Sequence, residues 1–186
     1  MRALKRQQRG LTLIEIVLGV ALATVVLAFI LVQFSRLNEA ERSRTLINFV
    51  ADLMKELPKT APSRAYDGLT SETLINLGVV PDQFIGEDRV SLLTPWLEPL
   101  EVTDYTFGES TRPNAALIAI QGVPTAACTE LIQALGRNML TVEVGTEVLI
   151  QRAGPTPRLF STLTPADVVE ACSATRAPTV RMVPNG

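Results

Sequence analysis

Three groups of side chains in this 186-residue chain have the types and placement to do chemistry: one carboxylate, Glu15, inside an apolar run; two cysteines, Cys128 and Cys172; and the acids Asp67, Glu87, Asp88, Asp104 and Glu109 in predicted loops. Histidine is absent, which removes the commonest general base and the commonest metal ligand. The patterns G-x-S-x-G, G-x-x-x-x-G-K and H-E-x-x-H do not occur, so no residue stands out as catalytic and no cofactor is expected. The loop acids lack the spacing of a calcium-binding loop and read as solvated surface charges. Two cysteines 44 positions apart form neither a CxxC redox pair nor a metal site, which leaves a structural disulfide in an exported chain or two separate buried thiols.

The elements that must position these groups begin with charge. The formal net charge is −2, yet Arg2, Lys5, Arg6 and Arg9 all lie in the first ten residues, where no acid occurs. Without them thirteen basic side chains face nineteen acidic ones, or −6, and nothing in that balance suggests nucleic-acid binding. After the basic leader, Leu11 to Val32 is broken only by Glu15 and two threonines. At about 1.5 Å per residue such a helix spans on the order of 33 Å, enough to cross a bilayer core of roughly 30 Å. The charges in front hold the leader in the cytoplasm and send the remainder out.

An ordinary signal anchor does not explain Glu15, since a carboxylate in hydrocarbon costs about 2.5–3.5 kcal/mol. A cleaved secretory signal does not fit either, because the run leads into Q-F-S-R-L-N-E-A-E-R with no small-x-small site. The stretch R-G-L-T-L-I-E before an unbroken apolar helix resembles the processing signature of type IV prepilins and of the pseudopilins of type II secretion. That resemblance implies cleavage by a membrane prepilin peptidase between Gly10 and Leu11, methylation of the new N-terminus on Leu11, and a role in assembly for Glu15. Physics gives the acid a use: in a bundle of such helices Glu15 can pair with the Leu11 ammonium of a neighbour, so the charge is satisfied only in the correct register.

Beyond Phe34 the helix is expected to continue as an amphipathic piece, with Leu46, Phe49, Val50, Leu53 and Leu57 on one stripe and Pro58 ending it. Residues 59–70 read as a loop, 71–78 as a short helix, and 81–100 as irregular, with Trp96 as a core plug. Strands are expected at 100–107, 115–121, 139–144, 147–152 and 179–183, with a hairpin turn at Gly145-Thr146. Helices are expected between the second and third strands, from Pro124 to Gly136, and before the last strand, from Thr164 to Cys172.

A-L-I-A-I-Q-G-V-P-T-A-A-C-T-E-L-I is similar to a strand, glycine, helix segment of type IVb pilins, the group that includes the toxin-coregulated pilin and conjugative-plasmid thin-pilus pilins. The first mature residue, leucine, also fits that group, while a ten-residue leader is shorter than usual for it. The resemblance implies an α+β fold, the αβ-roll: a long N-terminal helix, its hydrophobic half protruding, packed on an antiparallel sheet whose last strand lies inside. It further implies a Cys128–Cys172 disulfide. The expected division is 1–10 as leader, 11–57 as the long helix (11–34 transmembrane and assembly, 35–57 amphipathic) and 58–186 as the head. The implied function is that of a non-enzymatic subunit, a major pilin, of a self-assembled helical filament used for attachment, aggregation or cell contact. Its implied partners are the peptidase, the inner-membrane assembly machinery and, for the precursor, the membrane itself; the filament is extracellular. The alternatives are a minor pilin, a secretion pseudopilin, or a membrane-anchored binding domain that never polymerises. In a filament the loop acids would have Arg64, Arg89 and Arg112 of neighbours as partners.

Overall fold

The computed structural model describes residues 13–60, 66–152 and 157–185. Helix α1 spans Leu13–Thr60, and the chain divides between Glu39 and Ala40 into two units. In the first unit apolar residues occupy every helical face, so the sequence stabilises a helix but gives it no inner side. Every described side chain from Ile14 to Glu39 is exposed.

The second unit begins with the remaining turns of α1, where the apolar residues are spaced three and four apart. Leu46, Phe49, Val50, Leu53 and Leu57 are all buried, as the stripe predicts. Phe49 stacks on Phe84, ring centroids 4.0 Å apart. The helix outruns its expected end at residue 57 by three residues. Pro58 lacks the N–H that would reach the Met54 carbonyl, but Thr60 closes the last turn by donating its hydroxyl to the Leu57 carbonyl at 2.9 Å.

Then follow α2 (Ser71–Asn76), β1 (Leu92–Leu93), β2 (Pro99–Tyr105), β3 (Ala115–Ile120), α3 (Thr125–Leu135), β4 (Met139–Val144), β5 (Glu147–Gln151), α4 (Pro165–Ser173) and β6 (Val180–Pro184). The strands form one six-stranded sheet in the order β1-β2-β3-β6-β4-β5, antiparallel throughout. The final strand therefore sits inside it. Alternation sets the faces: on β2 Leu100 and Val102 point into the core while Glu101 and Thr103 point out. Between β4 and β5, Gly145 at φ +61° makes the two-residue turn with Thr146, as expected.

Local signals account for the helix ends. Thr70 caps α2 by accepting from the Thr73 N–H at 3.2 Å, and Ser71 accepts from the Val102 N–H at 3.0 Å, tying α2 to β2. Thr164 and Asp167 form a capping box at α4, with Pro165 in its first turn. Two expectations are revised. The segment 81–100 holds a 3-10 turn, Asp82–Phe84, and strand β1, whose two residues are too short to show an alternation. Strand β2 ends at Tyr105, not residue 107, because the Phe107 N–H donates to the Asn114 side-chain oxygen (2.7 Å) instead of joining the ladder. Trp96 is half-buried against the core, as its reading as a plug requires.

Replacing Leu53 with alanine removes a side chain that is 1% exposed and is expected to cost about 3 kcal/mol. Asp52→Ala removes only half of a surface pair with Lys55 and is expected to cost less than about 0.5 kcal/mol. Thermal melting of the two full-length variants, followed by circular dichroism, checks the contrast.

Candidate assembly surface and disulfide clamp

Of the residues the sequence singles out, Gly10 and Leu11 lie outside the described residues, and Glu15 lies on α1. Leu18 and Gly19, three and four positions on, share the helical face of Glu15. A methyl group built on Gly19 would meet nothing within 4 Å, so no neighbour within the chain requires a glycine there. Among the described residues, thirteen large apolar side chains from Ile14 to Leu37 are 55–75% exposed. At about 1.5–3 kcal/mol each, covering them is worth roughly 20–40 kcal/mol before entropic costs. That sum exceeds the whole stability of an ordinary domain, so this surface drives association with lipid or protein. Among the described residues no helix is long and apolar enough to cross a membrane.

Cys128 on α3 and Cys172 on α4 are both fully buried and joined as a disulfide, Cα atoms 5.9 Å apart. The helix repeat places Cys128 in line with Leu131 and Ile132 on the core face of α3, and α4 turns Val168, Ala171 and Cys172 inward. The crosslink closes a loop around β4 and β5 and fixes the segment that feeds β6. In the second unit α1 meets α3 through Ser43, which is 3% exposed and donates to the Glu130 carboxylate at 2.5 Å.

Two of the acids placed in predicted loops, Asp88 and Asp104, have local partners. Asp88 accepts from the Ser91 N–H at 3.0 Å, the Ser91 hydroxyl at 2.8 Å and the Val90 N–H at 3.1 Å. The Ser91 N–H, then its hydroxyl, then the Val90 N–H hold the Asp88 carboxyl below its ordinary range. Asp167 is lowered in the same way, first by the Thr164 N–H and then by its hydroxyl. Asp104 lies in β2 rather than a loop and accepts from the Gly68 N–H at 3.1 Å. Among the described residues no group of three or more histidine, cysteine or acidic side chains could hold a metal ion.

Two further features carry no sequence motif. In the turn between β1 and β2, Leu97 is 78% exposed at φ +64°, a backbone region that costs a branched side chain on the order of 1 kcal/mol. Thr94 enforces it: the Leu97 N–H donates to the Thr94 carbonyl (2.8 Å), the Thr94 N–H to the Glu98 carbonyl (2.8 Å), and the Thr94 hydroxyl oxygen accepts from the Trp96 and Glu98 N–H groups. Beside the start of β4 and the end of β5, Arg137, Arg152, Leu159, Phe160, Ser161 and Leu163 line an open cleft of about 570 Å³. The Arg137 guanidinium lies 5.8 Å from the Phe160 ring centre, and Arg152 donates to the Arg137 carbonyl. A side chain on Gly136 would strike the Phe160 ring at 2.7 Å, so the glycine makes the ring's seat. The first lies in T-P-W-L-E-P, whose prolines suggest a turn but not a leucine at positive φ; the second joins residues too far apart in sequence to signal it.

A family model described as PilS N terminal matches residues 37–185, and one described as the prokaryotic N-terminal methylation motif matches residues 5–31. No curated protein sequence matches the chain. Among solved structures, it is similar to TcpA, a type IV pilin from Vibrio cholerae El Tor biotype, with 15% identity and a TM-score of 0.56 over 78% of this chain and 99% of that one. A type IVb pilin from Salmonella typhi gives 17% identity and a TM-score of 0.45 over 62% and 78%. At such identity the TcpA likeness is one of fold.

Cys172→Ser opens a loop of 44 positions and is expected to cost about 4 kcal/mol, read as a lower Tm of the full-length chain that reductant does not lower further. The lowered Asp88 and Asp167 carboxyls add stability above their ordinary value of 3.8, and it is lost as pH falls through their folded values. The fall in Tm between about pH 5 and pH 2 is therefore expected to be smaller in the Asp88→Asn, Asp167→Asn double variant than in the unaltered chain.

Proposed function

Because the chain belongs to the PilS family of type IV pilins and carries the N-terminal methylation motif, we propose that it is the major subunit of an extracellular type IV pilus. One observation carries the reading: a helix apolar on all faces, exposed along its first unit, follows a basic leader and holds a single acid near its start. Residues 1–10 are the leader, removed by a prepilin peptidase between Gly10 and Leu11, and Leu11 is then methylated at its nitrogen. Residues 11–34 hold the precursor in the inner membrane and later form the core of the filament. Residues 35–57 are the amphipathic continuation of that helix, and 58–186 are the head.

The mechanism is one of exchange. Cutting after Gly10 removes four positive charges and creates one, the ammonium of Leu11. In the membrane the apolar side chains already have an apolar solvent, so moving into a helical bundle gains packing more than burial. Glu15 supplies direction: its carboxylate is costly in lipid and satisfied beside a neighbour's ammonium, which selects one axial register. The assembly machinery of the inner membrane supplies the work of extension, and the filament serves attachment, aggregation or contact between cells.

Mass spectrometry of the mature chain is expected to give an N-terminus at Leu11 carrying one methyl group; an N-terminus at Met1 refutes the processing. Glu15→Ala is expected to leave membrane insertion intact and to abolish filaments, counted by electron microscopy after shearing. Normal filaments from Glu15→Ala would remove the register mechanism.

A further inference from the structure

The turn that carries Leu97 and the cleft that holds Phe160 are complementary in charge and in apolar character. Leu97 is an exposed apolar knob, and the next residue, Glu98, is an exposed carboxylate with no ion pair among the described residues. The stem of Glu98 lies where a side chain on Gly122 would be, 2.6 Å from the built Cβ position, so the glycine gives it a seat. Across the molecule the cleft offers Leu159, Phe160 and Leu163 as apolar walls, with Arg137 and Arg152 at its rim. Neither arginine has a carboxylate within ion-pair distance among the described residues. The cleft lacks an apolar side chain and a negative charge, side by side. Leu97 and Glu98 present those two groups in that order.

Strand registers fix where the two sites lie. Leu100 pairs with Ile120, Ile120 with Val180 and Val180 with Val144, so the turn before β2 sits at the sheet end that also holds the β4–β5 hairpin. Met139 pairs with Pro184 and Thr141 with Gln151, so the arginine cleft sits at the opposite end, on the far edge. The knob cannot reach the cleft of its own chain. Between copies pointing the same way the contact is heterologous, and repeating such a contact builds an open helix rather than a closed pair. The Thr94 hydrogen bonds hold Leu97 at positive φ, yet its side chain stays 78% exposed within one subunit, as expected of a residue shaped for a partner.

We propose that in the filament the Leu97–Glu98 tip of one head seats in the Phe160 cleft of a neighbouring copy. Leu97 packs against Leu159, Phe160 and Leu163, and the Glu98 carboxylate pairs with the Arg137 and Arg152 guanidinium groups. This contact rests on the pilus reading and adds to it a second joint, between heads, besides the bundle of N-terminal helices. It gives the heads a fixed mutual orientation that a greasy bundle alone specifies poorly.

The test uses sheared filaments of the full chain. Leu97→Cys combined with Leu159→Cys is expected to give, after mild oxidation, a ladder of multimers on a non-reducing gel, where either substitution alone gives monomer. Filaments that yield only monomer from the double variant overturn the contact. Glu98→Lys and Arg137→Glu are each expected to lower filament yield about tenfold, and their combination to restore most of it; a combination as poor as its parents overturns the pairing. Leu97→Gly relieves the backbone and is expected to keep or raise the Tm of the full chain in detergent while lowering filament yield, a split that a purely structural leucine does not produce. If Leu97→Gly filaments match the unaltered ones in number, the knob has no role. Absence of filaments from the unaltered chain overturns the pilus reading and this contact together, whereas normal filaments from all these variants overturn the contact alone.

Discussion

The head depends on one strand arriving last and being placed in the middle. Strand β6 pairs with β3 on one side and β4 on the other, and it alone joins the β1-β2-β3 half of the sheet to the β4-β5 half. Both of its neighbours need it to satisfy their backbone groups, since a buried strand edge without partners costs a hydrogen bond at every second residue. The rest of the head serves that insertion. The disulfide ties α3, which follows β3, to α4, which leads toward β6, so the segments on either side of the β4–β5 hairpin are held together. The stripe on α1 then gives the sheet a face to pack against.

The same helix answers two different solvents. From Ala40 onward its apolar residues recur at helical spacing and pack into the core of the head; before that point every described side chain is exposed. A single helix thus carries both a finished interface and an unfinished one. The unfinished interface is a large exposed apolar surface of the kind that marks association with lipid or protein. In the filament we propose, Glu15 gives this otherwise non-directional attraction a register, because hydrophobic burial alone does not distinguish one axial offset from another.

Much of this was legible in the sequence because it was written in local periods. The i, i+3, i+4 pattern from Leu46 to Leu57 marked the helix and its buried face, and alternation together with Gly145 marked the β4–β5 hairpin. The place of β6 inside the sheet, and the pairing of Cys128 with Cys172, came from resemblance rather than from any period, because strand order is a long-range property that leaves no local trace. Short elements were missed for the opposite reason: Leu92–Leu93 has too few residues to alternate. Pro58 misled by three residues, since a proline forbids the bond behind it more strictly than the turn ahead of it. Leu97 gave no warning, because nothing in a leucine announces a positive φ; the constraint is imposed by Thr94.

The position of β6 also sets a schedule. The strand follows β3, β4 and β5 in the chain, so until it inserts, β3 and β4 each present an open edge with a strand-wide gap between them. Closing that gap requires contacts between residues far apart in sequence, which makes it slow on the scale of local helix formation. Only a head in which β6 has inserted has a continuous sheet from β1 to β5. A subunit stalled short of that point exposes an edge that another strand can occupy.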